Sequence, residues 1–244
     1  MLRSKTFLAL LSSVAWVAMA ASAAAVPRPD QSDERPLGFQ VYGPVHHSGS
    51  DARSAEFNAN VLPEAMALVE ANLGERDEFE DRHLVRLDPD RLYLFNPTDR
   101  PVRIYFLNEG AGYRNTLGFS ATLAGSPTEG QRYLLIPDVS DGTFAGPDLL
   151  EPGDWVEFGE YPAAVQFEFF IIRDGVRGGS NIFTANDQEN EDGLQHMVAW
   201  LIQDRYVLIG FEDILGGGDL DYNDVVFVAD LGPDLGLNVL PLPK

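Results

Sequence analysis

The most constraining feature of this chain is an acidic turn between two apolar runs near its carboxyl end. The turn lies in residues 210–227, with the sequence GFEDILGGGDLDYNDVVF. Its five carboxylate side chains and one carboxamide are those of Glu212, Asp213, Asp219, Asp221, Asn223 and Asp224. Carboxylates at this density repel one another strongly if they are not neutralised, whereas Ca²⁺ takes about six to eight oxygen ligands. The sequence therefore predicts that these six residues bind a divalent cation, with Ca²⁺ preferred.

The spacing of these residues differs from that of an EF-hand loop. Three of them match the first, third and fifth loop positions, but Asp224 stands where an EF-hand requires glycine. The flanking runs 206–211 and 225–228 are rich in β-branched and aromatic residues, which favours strands over helices. We therefore expect a β-hairpin-like corner with an acidic loop. A turn whose Asp and Asn side chains only cap backbone N–H groups is the alternative.

The same motif resembles the signature of the DUF4114 family, a domain of uncharacterised function in secreted and surface-exposed bacterial proteins. Residues 109–119 (EGAGYRNTLGF) and 192–196 (DGLQH) resemble two further segments of that family. Together the similarities span about residues 90 to 230. The resemblance implies a β-rich, calcium-dependent extracellular module, and it implies no known reaction.

Nine short runs rich in Val, Ile, Phe and Tyr follow one another from residue 90 onward, with almost no helical pattern between them. Most are bounded by Pro, Gly, Asn or Asp, which is typical of antiparallel strands. The runs are 92–95, 102–107, 116–122, 132–136, 154–158, 164–172, 196–202, 206–211 and 225–228. We therefore predict a mostly β protein with an antiparallel β-sandwich or jelly-roll-like domain over residues 90–231.

The remaining segments are assigned from composition and pattern. Residues 1–25 have a basic start, an apolar stretch and small residues at the end, which predicts a cleaved secretory signal; an uncleaved anchor is the alternative. Residues 26–89 are predicted to be an N-terminal extension with one short helix, and residues 232–244 a C-terminal tail. The helix is indicated by an apolar stripe at Leu62, Met66, Val69 and Leu73, with Asn60 as N-cap and Gly74 as the stop.

Charge and cysteine content exclude some classes of partner. The formal net charge is −21 at pH 7, so the surface repels phosphate backbones and anionic lipids, and we expect no nucleic-acid binding. Cysteine is absent, so no disulfide framework supports the fold. After signal cleavage we expect a secreted protein, extracellular or periplasmic, with no membrane span.

A second acidic loop, residues 186–193, precedes the motif. If the runs 196–202 and 206–211 form a hairpin, Asp192 approaches Glu212 and Asp213. Asn190 and Asp192 are therefore predicted as secondary ligands that complete the cation site or form another; a solvated loop is the alternative. His196 is expected to orient this loop rather than to bind the ion, and the pair His46–His47 is not expected to bind zinc.

These features leave three functions of different classes. The first is a secreted calcium-binding β-sandwich acting as a surface, matrix or adhesion-type structural module. The alternative is a calcium-dependent carbohydrate-binding module, with glycans or matrix polymers as partners and stacking faces from Trp155, Trp200, Tyr113, Tyr133 or Tyr222. A secreted hydrolase is less favoured because the chain has no Gly-x-Ser-x-Gly, no cysteine and no His-Glu-x-x-His. We therefore expect no enzymatic activity.

Overall fold

Twelve β-strands run through the part of the chain that this computed structural model describes, which comprises residues 31–73, 86–88, 90, 92–94, 97–123, 130–144 and 146–233. The strands are β1 Gln40–Val41, β2 Arg86–Leu87, β3 Leu92–Tyr93, β4 Arg103–Asn108, β5 Thr116–Leu123, β6 Tyr133–Ile136, β7 Trp155–Glu157, β8 Val165–Ile172, β9 Ile182–Thr184, β10 Met197–Ile202, β11 Tyr206–Phe211 and β12 Val225–Asp230. Each of the nine predicted runs overlaps one strand, and three short strands, β1, β2 and β9, lie outside the predicted runs.

The strands form two six-stranded sheets. Sheet 1 has the order β1-β6-β5-β8-β3, with β9 also paired to β8. Its neighbours are antiparallel except for β1 and β6, which are parallel. Sheet 2 has the order β2-β10-β11-β12-β4-β7, and its pairs are antiparallel. The prediction of a mostly β, largely antiparallel sandwich is confirmed.

The inner faces of the two sheets enclose one apolar core. Phe169 of β8 and Phe227 of β12 are fully buried and meet edge to face across it, with 5.2 Å between their ring centroids. Burial of each large apolar side chain contributes about 1.5–3 kcal/mol. This core holds β12 and its neighbour β11 in fixed positions, and the acidic turn connects those two strands.

Two short helices precede the main run of strands, where the sequence predicts one. Helix α1 spans Ala52–Asn60 and helix α2 spans Leu62–Asn72. The predicted N-cap, Asn60, is instead the last residue of α1, which begins at a capping box between Asp51 and Ser54. The apolar stripe belongs to α2, whereas α1 buries one large apolar side chain, Phe57, and so gives almost no periodic signal.

Both helices cover the outer face of sheet 2. Phe57 stacks on Tyr105 of β4 with 3.7 Å between ring centroids. Val69 and Leu73 of the α2 region pack into the same apolar cluster, together with the fully buried Trp200 of β10. The two faces of sheet 2 are therefore both buried over much of their area, which is why its strands carry apolar residues on both sides.

Several predicted segments lie outside the described residues. These are the signal segment 1–25, the stop at Gly74 and residues 234–244 of the tail. The domain boundary at residue 90 stays a prediction; on its N-terminal side, β1 pairs with β6. Across the described ranges, no helix has the length and apolar character needed to cross a bilayer.

Candidate metal centre

The acidic turn is the connection between two neighbouring strands of sheet 2. The predicted hairpin of β10 and β11 is confirmed, with Met197 opposite Phe211 and Ile202 opposite Tyr206. Strand β12 then pairs antiparallel with β11, so residues 212–224 form a loop whose two ends lie side by side. The backbone N–H of Asp224 donates to the carbonyl oxygen of Phe211 at 3.1 Å and closes the base of the loop.

Three carboxylates meet at this base and form what we call the inner group: Glu212, Asp213 and Asp224. Each offers one oxygen within 4.8 Å of the other two, and all three residues are buried. The carboxylate of Asp224 accepts from the backbone N–H of Asp213 at 2.7 Å. Glu212 Oε2 and Asp213 Oδ1 are buried and make no hydrogen bond in the described structure. A buried charge without a partner is costly, and the inner group thus has the composition of a cation site.

A second set of carboxylates, which we call the outer group, consists of Glu212, Asp219 and Asp221. They also offer oxygens within 4.8 Å of one another, and Asp219 is exposed. The loop closes over Glu212 at Gly218, which has φ of 52°. A Cβ at that position would lie 2.2 Å from Glu212 Oε1. Glycine at 218 therefore allows the backbone to approach the shared carboxylate.

The pKa values of the inner group are displaced in the direction expected for crowded, buried acids. Burial, followed by the charges of Asp213, Asp219 and Asp221, raises the pKa of Glu212 to about 7. Burial raises the pKa of Asp213 to about 6, although a hydrogen bond from Asn115 and the charge of Arg173 oppose the change. Burial and the charges of Asp213 and Glu212 raise the pKa of Asp224 to about 9. These acids resist ionisation together unless a positive charge joins them.

Glu109 is a buried acid beside this centre that the sequence reasoning did not single out. It is 2% exposed, and neither carboxylate oxygen makes a hydrogen bond of ordinary geometry within the described structure. Burial and the charge of Asp141 raise its pKa to about 8, Asp213 adds a smaller contribution, and the backbone N–H groups near it oppose the rise. The next residue, Gly110, donates its N–H to the carbonyl oxygen of Asn223 at 3.1 Å, which places Glu109 against the acidic loop.

Asn223 connects the loop to its surroundings through its carboxamide. Its Nδ2 donates to Asp221 Oδ2 at 2.9 Å and to the carbonyl oxygen of Leu73 at 3.3 Å. Its Oδ1 lies against Gly110, where an added Cβ would be 2.3 Å away. Asn223 thus joins the loop to the end of α2, and its role as a metal ligand stays a prediction.

The two predicted secondary ligands have structural partners. Asn190 Oδ1 accepts from Thr184 N at 2.9 Å, and its Nδ2 donates to Leu194 O at 2.8 Å. Asp192 Oδ2 accepts from the backbone N–H of Gly216 at 2.7 Å, and Asp192 belongs to neither carboxylate group. The loop of residues 186–193 does lie near Glu212, as expected. The connection is indirect: Asp192 contacts the backbone of Gly216 and the ring of His196, which in turn contacts the carbonyl oxygen of Glu212.

His196 lies between the two acidic loops. Its Nδ1 is 2.8 Å from the carbonyl oxygen of Glu212, and its Nε2 is 3.0 Å from Asp192 Oδ2. The ring is fully buried and stacks on Phe183. These contacts fix the backbone that carries Glu212, in agreement with the expected orienting role. His46, the first residue of the His46–His47 pair considered for zinc, packs elsewhere: its ring stacks on Trp155 with 4.2 Å between ring centroids.

Comparison with known proteins bears directly on the segment that carries this centre. Residues 161–232 match the model of DUF4114, a domain of unknown function. The chain carries a DUF4114 domain. The match runs from the start of β8 through β12 and includes both carboxylate groups, so the DUF4114 resemblance is confirmed over a shorter span than expected. Glu109 lies outside it. No curated protein and no solved structure matches the chain.

The DUF4114 domain therefore contains a buried acidic cluster with the composition of a metal site. All donors of the two groups are carboxylate oxygens, which suit hard cations such as Ca²⁺ and Mg²⁺ rather than thiolate- or imidazole-preferring metals. The unpartnered oxygens of Glu212 and Asp213 are the observation that fits an ion.

Proposed function

We propose that this protein is a secreted calcium-binding β-sandwich that serves as a structural module of a cell surface or extracellular matrix. The observation that carries the proposal is the inner group, in which Glu212 and Asp213 are fully buried and each keeps an unpartnered carboxylate oxygen. Such atoms persist in a folded protein when a cation satisfies them. The role is structural rather than enzymatic.

Calcium suits this loop better than magnesium does. Ca²⁺ accepts irregular sets of about six to eight oxygens, whereas Mg²⁺ requires near-octahedral geometry at about 2.0–2.1 Å. The loop between β11 and β12 supplies five carboxylates, and three glycines in a row at 216–218 have positive φ. The predicted export signal also fits calcium, because free calcium is abundant outside the cell.

A bound ion would connect the two ends of the loop. Glu212 and Asp213 follow β11 directly, and Asp224 precedes β12. Binding to all three therefore links neighbouring strands of sheet 2 in a chain without cysteine. An ion present at a hundredfold excess over its dissociation constant adds about 2.7 kcal/mol to the free energy of unfolding. The ion would thus stabilise the sandwich by an amount comparable to a disulfide.

Calcium-dependent carbohydrate binding is a second candidate, supported by a cleft beside the centre. The cleft has a volume of about 580 Å³, and its lining includes Glu109, Asn223 and Phe144. Phe144 is 56% exposed and is a possible stacking face. The aromatic residues predicted for this role contribute less: Trp155, Trp200 and Tyr222 are buried, Tyr133 is half-buried, and Tyr113 is 37% exposed. A glycan array with wild type and Phe144→Ala, each with and without calcium, tests this candidate.

The proposed function is tested by calcium titration of metal-stripped protein, followed by calorimetry and thermal unfolding. We expect saturable binding and a rise in melting temperature of about 5–10 °C, since 1 kcal/mol corresponds to about 2–4 °C at this size. Asp213→Asn is expected to remove most of the rise. Asp204→Asn is the matched control because Asp204 is exposed at the far end of the β10–β11 hairpin and has a φ of 53° that Asn tolerates. Equal melting temperatures with and without calcium would refute the proposal.

A further inference from the structure

The two carboxylate groups share one residue only. The inner group adds Asp213 and Asp224 to Glu212, and the outer group adds Asp219 and Asp221. Across the described residues, no set of mutually close carboxylates contains both pairs. Calcium–oxygen distances of about 2.3–2.6 Å keep the ligands of one ion within about 5 Å of one another. One ion therefore cannot contact all five carboxylates in this arrangement.

The charge of the cluster also exceeds what one ion neutralises. Five ionised carboxylates carry five negative charges, of which a single divalent ion cancels two. Two divalent ions cancel four. The guanidinium of Arg173 lies close enough to Asp213 to influence it and supplies one further positive charge. Two ions therefore offset most of the charge of the five carboxylates, whereas one ion leaves a substantial repulsion inside a buried site.

The position of Glu212 provides an independent indication. The residue is fully buried, its Oε2 makes no hydrogen bond within the described structure, and its Oε1 accepts only from the backbone N–H of Ile214 at 3.1 Å. Its carboxylate lies against Gly218, beneath the segment that carries Asp219 and Asp221. It also offers an oxygen within 4.8 Å of the carboxylates of Asp213 and Asp224. Glu212 thus faces both groups with oxygens that retain free lone pairs.

We propose that the loop between β11 and β12 holds two calcium ions bridged by Glu212. The inner ion is bound by Glu212, Asp213 and Asp224, and the outer ion by Glu212, Asp219 and Asp221. This inference rests on the proposed calcium-binding function and goes further by assigning the number of ions and the ligands of each.

The two sites differ in access to solvent, which gives them different properties. The inner group is entirely buried, whereas the outer group includes the exposed Asp219. The inner ion is held where solvent screening is weakest, so it binds more tightly and leaves last. The outer ion exchanges more readily and is the first to leave as calcium falls.

The test counts ions by equilibrium dialysis of the full chain against radioactive calcium at about 0.15 M salt, where long-range attraction to the acidic surface is screened. We expect two tightly bound ions in wild type and one in Asp219→Asn. Asp213→Asn is expected to keep one ion or none, and Glu212→Gln to weaken both sites by more than tenfold. Asp204→Asn serves as the control and is expected to bind two.

The outcomes separate this inference from the proposed function. One ion in wild type, unchanged in number by Asp219→Asn, overturns the two-ion assignment and leaves the proposed function standing. No bound ion overturns both. If a variant at a buried position fails to fold, Asp219→Asn still decides the question because its side chain is exposed.

Discussion

Removing calcium should make the stability of this protein depend on pH in an unusual direction. In the metal-free protein, Glu109 titrates at about 8 and Asp224 at about 9, against ordinary values of 4.5 and 3.8. At a pH between the ordinary and the raised pKa of each residue, the folded state binds more protons than the unfolded state does. The free energy of unfolding therefore falls as pH rises through this window. Most carboxylates paired in a native state have the opposite effect, because their pKa values are lowered on folding.

The size of the effect follows from the displaced pKa values. A carboxyl held neutral by burial costs about 1.4 kcal/mol for each pH unit above its ordinary pKa. Between pH 5.5 and 8 this amounts to about 3 kcal/mol for Glu109 alone, since the slope levels off as pH reaches its folded-state pKa of about 8. Opening of the loop to water limits the cost, so we expect a loss of about 2 kcal/mol. At this chain size the loss corresponds to a fall in melting temperature of about 4–8 °C.

The measurement is thermal unfolding by circular dichroism at pH 5.5, 6.5, 7.5 and 8. Calcium is removed with a chelating resin rather than a soluble chelator, whose affinity itself varies with pH. In saturating calcium the fall should vanish or reverse, because the ion binds deprotonated ligands. Glu109→Gln should make the metal-free profile shallower, since Gln carries no titrating proton, while Asp224 keeps part of the slope. A metal-free protein that is as stable at pH 8 as at pH 5.5 would show that these carboxyls ionise freely and are not held neutral by burial.

Three further predictions concern the loop, the helical cover and the N-terminus. Gly218→Ala should weaken calcium binding by more than tenfold in calorimetry, whereas Gly216→Ala, also at positive φ but with open space around the new Cβ, should weaken it much less; equal losses would assign the effect to backbone strain alone. Arg103→Ala should lower the free energy of unfolding in urea by about 2 kcal/mol, because it leaves Asp51 and Glu157 without their bonds of 2.7 and 2.8 Å; a change below 0.5 kcal/mol, taken as about the scale of a surface substitution, would contradict this. N-terminal sequencing of the exported protein should begin after residue 23 or 25, and an intact N-terminus would refute the cleaved signal.

Most of the fold could be predicted because strands leave a local pattern in sequence. The short strands β3 and β7 lie within longer runs whose β-branched and aromatic enrichment shows, whereas β1, β2 and β9 lie outside any such run and take their conformation from their neighbours. Helix α1 was not predicted for a similar reason: its only strong local sequence signal is the capping box at Asp51 and Ser54.

The acidic loop could be predicted because its carboxylates are close in sequence. Glu109 could not, because it reaches the loop only through the pairing of β12 with β4, in which Val226 lies opposite Asn108. A single glutamate among 38 acidic residues carries no signal of its own. Trp155 and Trp200 look like binding platforms in sequence, yet they are buried with the helical cover. The position of Glu109 and the burial of the two tryptophans both depend on contacts between segments distant in sequence, which a local sequence pattern does not show.

Asn223 donates a hydrogen bond to the carbonyl oxygen of Leu73, so helices α1 and α2, which cover sheet 2, are also connected to the acidic loop. The carboxyl end of α2 is attached to the same loop that carries the carboxylates, and beneath that helix lies the indole of Trp200. We therefore expect a change in the loop to alter the surroundings of this intrinsic fluorophore, which lies on β10 under the helix. Emission of this buried ring would report the state of the loop without any added label.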